Sequence, residues 1–303
     1  MVAWVAAVLM HTSVVACSDD TLVLGSAAPR PYRFGAPEVV AELSVLAKSD
    51  NPSLTADLLE IYFTASEVPG PGGEIWRATR QDASGPFERP ARVEELRAAA
   101  TRNETSPIVS ADGLTLWFAS DRSGGAGDLD IWVTTRRART ERWPPPENLA
   151  RLNSQGKEIP RPPGQHQLVM PLASDREAEG RYQIYFSERP EPLAPFETPR
   201  RIGELELTGE STVDGFLTDD GLSLFYATGP AIGAAELYVA SRRSTADAFE
   251  RPQPLAELNT EADERDPWLS PDGSLFFFAS DRSGRYAIYT ARVSREEVAV
   301  EGD

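Results

Sequence analysis

Cysteine is nearly absent from this chain: its 303 residues contain one, Cys17. An intramolecular disulfide and a thiolate metal cluster are therefore excluded. Histidine is almost as scarce, and of the two only His166 lies beyond the N-terminal apolar segment. No Gly-x-Ser-x-Gly elbow accompanies it, so a Ser–His–Asp site has no support, and one histidine without thiolates does not make a zinc site. Positive charge is short too, with 30 Lys and Arg against 47 Asp and Glu, a net charge of −17. Nucleic acid and anionic membrane surfaces are polyanions, so this balance disfavours both as partners and leaves cationic ligands open. Proline and glycine are plentiful, at 25 and 22 residues, and predict many turns rather than long helices.

What is there repeats. An aromatic residue, a proline three positions on and a short strand ending in leucine recur at Phe34, Phe87, Trp143, Phe196 and Phe249. The intervals are 53, 56, 53 and 53 residues. Between these markers lies a strand–turn–strand–loop–strand unit, clearest from Glu104 to Trp132 and again from Glu264 to Tyr289. Short apolar, aromatic-rich runs bounded by Gly, Asp and Ser read as strands, and Asp112-Gly113 between two of them reads as a tight turn. The third copy is worn, with Gly164-Gln165-His166-Gln167 where the others turn. Three strands and a marker strand make four per repeat, the pattern of a propeller blade.

The order of the pieces predicts how the ring closes. The chain opens on a marker strand and its last unit has none after it, so the segment from Phe34 to Leu43 is expected to complete the final blade. This removes an open sheet edge. The expectation is thus an all-β fold, a five-bladed β-propeller of four-stranded antiparallel blades over 34–294, with the N-terminal strand closing the last blade. Residues 18–33 read as a tether and 295–303 as an acidic tail.

Residues Val2 to Met10 are almost wholly apolar, and the run through Val14-Val15-Ala16 meets Cys17 before the chain turns polar. This reads as a secretory signal, too short for a membrane span. Val14-Val15-Ala16-Cys17 resembles a bacterial lipobox. That resemblance implies a lipidated Cys17 after a signal peptide over 1–17, attachment to the membrane through the lipid alone, and a place in the bacterial cell envelope, facing the periplasm or the surface.

The repeats resemble the TolB-type family of WD-like β-propeller repeats. The match runs through Glu104, Pro107, Ser110, Asp112, Gly113, Ser120, Asp121, Arg122 and Asp130-Ile131-Trp132. It returns at Glu264, Pro267, Ser270, Asp272, Gly273, Ser280, Asp281 and Arg282, with Ala287 in place of the third Asp. The resemblance covers about 34–293 and lacks the separate N-terminal domain of TolB itself. It implies the propeller, and a protein of the envelope that binds others.

Candidate chemistry is sparse. The Asp-Gly turns at Asp112, Asp220 and Asp272 are expected to be turn caps, and the Ser-Asp-Arg triplets to bracket loops. Acidic residues precede the first strand of every unit: Asp50, Glu104, Glu158, Glu210 or Asp214, and Glu264 or Asp266. Radial repetition is expected to set them round one channel mouth. There they either hold a partner's basic peptide or a Ca²⁺ ion, or cap loops through backbone N–H groups. No cofactor is otherwise expected. Trp268, in the same strand, is the aromatic to watch. The expected role is a non-catalytic, monomeric binding or scaffold protein that recognises an envelope protein or peptide. The alternative is a carbohydrate-binding or carbohydrate-active five-bladed propeller with channel carboxylates as acid and base.

Overall fold

The computed structural model describes residues 32–68, 72–98, 103–206, 210–229 and 233–295. Two short strands, β1 (Tyr32–Phe34) and β2 (Glu38–Val39), come first. The first blade is β3 (Lys48–Leu54), β4 (Glu60–Ser66), β5 (Glu74–Thr79) and β6 (Ala91–Arg92). The second is β7 (Glu104–Val109), β8 (Thr115–Ser120), β9 (Asp130–Thr135) and β10 (Glu147–Asn148). The third is β11 (Glu158–Pro160), β12 (Val169–Ser174), β13 (Gln183–Glu188) and β14 (Arg200–Arg201). The fourth is β15 (Ser211–Leu217), β16 (Ser223–Gly229), β17 (Glu236–Ser241) and β18 (Gln253–Pro254). The fifth is β19 (Glu264–Leu269), β20 (Leu275–Ser280) and β21 (Ala287–Arg295), to which β1 and β2 add the outer edge.

Every pairing between the strands described is antiparallel, as the sequence predicts for five blades of this kind, and the N-terminal segment closes the last one. Tyr32 and Arg33, assigned to the tether from sequence, pair with Arg295 and Ser294, so the closing seam extends two residues further than expected. Phe34 meets Phe276 at 5.0 Å between ring centroids, and Tyr32 meets Phe225 of the fourth blade at 4.8 Å. The core lies between blades, where side chains of adjacent sheets interleave, and Phe225 and Phe276 are fully buried across one such seam.

The structure explains why the marker aromatic recurs. In four blades an arginine seven positions earlier lies over its ring: Arg80 on Phe87 at 4.4 Å, Arg136 on Trp143 at 4.2 Å, Arg189 on Phe196 at 4.3 Å and Arg242 on Phe249 at 4.6 Å. The Nε of each donates to a carbonyl in its blade's first hairpin turn, at Leu58, Gly113, Gln167 and Gly221. One guanidinium thus ties the outer loop to the inner turn while its flat face stacks. The marker's leucine, at positions 43, 96, 152, 205 and 258, is buried beneath each blade.

Removing the closing ring should weaken the whole propeller. Phe34→Ala should cost about 3 kcal/mol. Val39→Ala, at a half-exposed position in the same segment, should change stability by less than about 0.5 kcal/mol. Urea midpoints of the two variants against the parent check this.

Candidate functional site

The five inner strands, β3, β7, β11, β15 and β19, surround the channel, with β19 returning beside β3. Four of them carry the same irregularity. Pairing slips between Asp50 and Ser53, Thr105 and Ile108, Val213 and Phe216, and Arg265 and Trp268. The bulged residue in each case has positive φ: Asn51 at 54°, Ser106 at 51°, Asp214 at 62° and Asp266 at 58°. Asn and Asp tolerate the left-handed region better than other side chains, and a bulge re-aims the residue that forms it. Here the four are turned towards the channel.

The third blade departs because Pro160 occupies the bulge position. Its ring fixes φ near about −65°, so the left-handed bulge is closed to it. The strand stays regular, Pro160 opposite Leu172, and Arg161 follows with its N–H on the Pro171 carbonyl at 2.9 Å. Ile159 and Arg161 then line the channel.

Arg161 is 4% exposed and joins all five blades. Its Nη1 donates to Asn51 Oδ1 at 3.1 Å, and its Nη2 donates to Asp266 Oδ1 at 3.0 Å and also to Asp214. Ser106 Oγ donates to the same Asn51 oxygen at 2.8 Å, and the Asn51 N–H donates to Asp266 Oδ2 at 3.0 Å. A buried guanidinium between two carboxylates is held by the hydrogen bonds of its two terminal nitrogens, while its Nε is buried without a partner. The cluster forms a septum. Arg161, Asp214 and Asp266 line a polar cavity of about 260 Å³ at one mouth. Pro162, Phe216 and Trp268, one or two residues on, line a second cavity of about 810 Å³ that opens at the Asp-Gly turns.

The acidic positions expected to form one ring therefore fall into three places. Glu104, Glu158 and Glu264 are equivalent to one another, are at most 1% exposed, and brace loops rather than face the channel. Glu158 accepts from the N–H and hydroxyl of Ser154 and from Ser174 Oγ; Glu264 accepts from the N–H and hydroxyl of Thr260 and from Ser280 Oγ. The arginine of each Ser-Asp-Arg triplet caps the arrangement: Arg122, Arg176 and Arg282 each donate to the marker-leucine carbonyl, at 2.7, 2.7 and 2.6 Å. Glu210 is exposed and precedes its strand. Only Asp50, Asp214 and Asp266 face the mouth. Among the described residues no group of three or more His, Cys, Asp and Glu side chains is disposed to hold a metal ion. Trp268, expected at the mouth, lies on the far side of the septum, edge-on to Phe216 and Phe277. Cys17 lies outside the described residues.

Sequence reasoning missed Arg161, Asn51, Ser106, Lys48 and Arg265. One signal was available. Four units place Asn, Ser or Asp before Pro or Gly at 51, 106, 214 and 266, whereas the third reads Pro160-Arg161-Pro162. At the mouth Lys48 pairs with Asp50 Oδ2 at 2.7 Å, and Arg265 with Asp263 at 2.8 Å. Asp50 Oδ1 is buried without a hydrogen-bond partner. Burial raises the Asp50 carboxyl above its ordinary value; Lys48 opposes the shift and Asp266 adds to it.

No protein-family model matches the chain, and no curated protein matches it. Solved structures do. The endo-arabinase of Bacteroides thetaiotaomicron gives a TM-score of 0.58 at 14% identity, over 88% of this chain and 99% of that one. The catalytic domain of the Coprinopsis cinerea GH62 α-L-arabinofuranosidase gives 0.55 at 11%, over 88% and 98%. TolB of Acinetobacter baumannii gives 0.50 at 16%, over 83% of this chain but 56% of its own, so the chain spans little more than half of that protein. The likeness is one of fold. It places the chain among propellers that include both TolB and glycoside hydrolases.

Two consequences follow for stability. Arg161→Met strands Asp214 and Asp266 without their shared partner and should cost about 3–5 kcal/mol, read by chemical denaturation. The second concerns Glu104, where Ala98 stands in the place of Ser154 and Thr260 and supplies only its N–H, at 3.1 Å. Glu104 Oε2 is left unpartnered, and burial pushes the carboxyl up to about 7. A carboxyl held high in the folded state contributes stability that is complete below its reference value of 4.5 and is lost as pH rises through about 7. Thermal midpoints should therefore fall across that window more steeply in the parent than in Glu104→Gln. Ala98→Ser should restore the missing donor, add about 1 kcal/mol, and flatten the same slope.

Proposed function

We propose that the chain is a non-catalytic binding propeller that takes a peptide segment of a partner protein at the Asp50 mouth. The observation that carries this reading is the Arg161 cluster. Two of the three carboxylates facing the channel, Asp214 and Asp266, share one guanidinium nitrogen. Glycosidic hydrolysis needs one carboxyl free to give a proton and another free to attack or to activate water. Oxygens of both carboxylates are already engaged by the buried Arg161 and so are not free for either role. Asp50, the third, is paired with Lys48. The carbohydrate-active alternative keeps its support in the shared fold with the arabinase and arabinofuranosidase and in the raised carboxyl of Asp50, but these side chains supply no second, unpaired carboxylate beside it.

The mouth offers what a peptide needs. Lys48 and Arg265 present cationic donors, Asp50 has an acceptor oxygen without a donor, and Tyr182 and Tyr286 flank them. Lys48 also lies 5.7 Å from the Tyr286 ring centroid. Hydrogen-bonding groups of both kinds around a small cavity suit a backbone amide with a polar or acidic side chain. Tyr32 sits beside Arg295 and the Asp272-Gly273 turn, so the chain leaves the propeller at the opposite end from this mouth. The envelope location and the lipid at Cys17 belong to this reading through the Val14-Val15-Ala16-Cys17 pattern of the sequence.

Peptides enriched from a random displayed library on the full-length protein should lose most of their affinity, by tenfold or more, in a Lys48→Ala, Arg265→Ala double variant that keeps its thermal midpoint. Hydrolysis of an arabinan or of an aryl arabinofuranoside that disappears in Asp214→Asn would overturn the reading. For the anchor, radiolabelled palmitate should enter the parent and not Cys17→Ser, and label in neither would reject lipidation.

A further inference from the structure

The second cavity has no part in the reading above, and its walls have a different chemistry. Leu54, Val109, Trp117, Phe216, Trp268 and Leu269 line it, and none is more than 9% exposed. Phe216 and Trp268 meet edge to face at 6.3 Å, giving one side an aromatic wall. At about 810 Å³ the space falls in the range of small-molecule sites, which are mostly apolar with a few placed polar groups. Those groups are at the rim. Asp219, Asp220, Asp272, Arg295 and His166 line the opening, with His166 on Asp219. Three carboxylates against one arginine leave the rim anionic.

A second observation falls on the same rim. The worn turn of the third blade, Gln165-His166-Gln167, has three successive non-glycine residues at positive φ, 50°, 55° and 68°. Such residues cost on the order of 1 kcal/mol or more each and are retained where surrounding structure over-determines them, often at ligand clamps. Here the loop is held against the fourth blade. The His166 N–H donates to Asp219 Oδ1 at 2.7 Å, and its Nδ1 lies 2.8 Å from Asp219 Oδ2. Gln165 packs over Gly221 so closely that a Cβ there would lie 2.3 Å from its Nε2. The third blade's loop thus stands at the cavity mouth and leans on the acidic turn beside it.

We propose that this cavity is a second binding site, for a small organic cation with an aromatic or branched aliphatic body. The body would fill the space between Trp117, Phe216 and Trp268, with its ammonium among the rim carboxylates of Asp220 and Asp272. Asp220 already accepts from Thr218 and Leu222 through Oδ1 alone. The site is separate from the Asp50 mouth because the Arg161 septum stands between them, so the two readings fail independently.

Tryptamine, neutral 3-methylindole and indole-3-acetate test it, with saturation-transfer NMR and titration calorimetry on the full chain. Tryptamine should bind at least tenfold more tightly than indole-3-acetate, with 3-methylindole between them. Asp220→Asn with Asp272→Asn should erase that preference while leaving 3-methylindole unchanged. Val109→Phe, which fills the cavity, should abolish binding of all three, and Lys48→Ala should alter none. Thermal midpoints confirm that each variant is folded. If Val109→Phe does not fold, loss of charge preference in the aspartate variant alone carries the test. No binding at millimolar tryptamine, equal binding of cation and anion, or binding abolished by Lys48→Ala would each overturn the proposal.

Discussion

A single desolvated arginine holds the middle of this molecule. A ring of β-sheets has a channel by construction, and the polar backbone and side chains that line it must find partners there. Arg161 supplies five donor hydrogens in a fixed plane where four bulged side chains converge. Asn51 from the first blade, Asp214 from the fourth and Asp266 from the fifth meet it directly, and Ser106 from the second reaches it through Asn51. One guanidinium thus stands between two carboxylates. The same contact fixes the relative height of the inner strands, closes the channel, and leaves one polar and one apolar cavity.

A rule broken in one blade makes this possible. Four inner strands accept left-handed bulges, each at a polar residue. The fifth copy of the pattern, in the third blade, has a proline that cannot adopt the bulge, and the residue after it turns inward as arginine. Two of those bulged residues, Asp214 and Asp266, are carboxylates, and bringing them together without a cation is unfavourable in a confined space. One asymmetric blade converts that repulsion into a network.

Outside the channel, the recurring residues serve the frame. Ser-Asp-Arg joins the second strand of a blade to the loop before its first strand, through the serine hydroxyl, the aspartate on a backbone N–H and the arginine on the marker-leucine carbonyl. The buried glutamate completes that joint. Where Ala98 offers no hydroxyl, Glu104 is left half satisfied, and burial of that carboxyl raises it.

The five units, their four strands each, the turn residues and the closing N-terminal strand were all legible in the sequence, because strand alternation and turn chemistry act over a few residues and repeat. The candidate site was not. Glu104 and Asp50 look alike as acidic residues before a strand, yet they are one register position apart, and alternate strand positions face opposite sides. That one step buries Glu104 in a loop joint and turns Asp50 to the channel. Asp266 reaches the channel only because its bulge shifts the alternation again, and Trp268, two residues further, lines the other cavity. Local sequence determined that this chain is a five-bladed ring. Which of its charges meet was decided by closure of the ring, which brings residues more than a hundred positions apart, such as Arg161 and Asn51, within a hydrogen bond of each other.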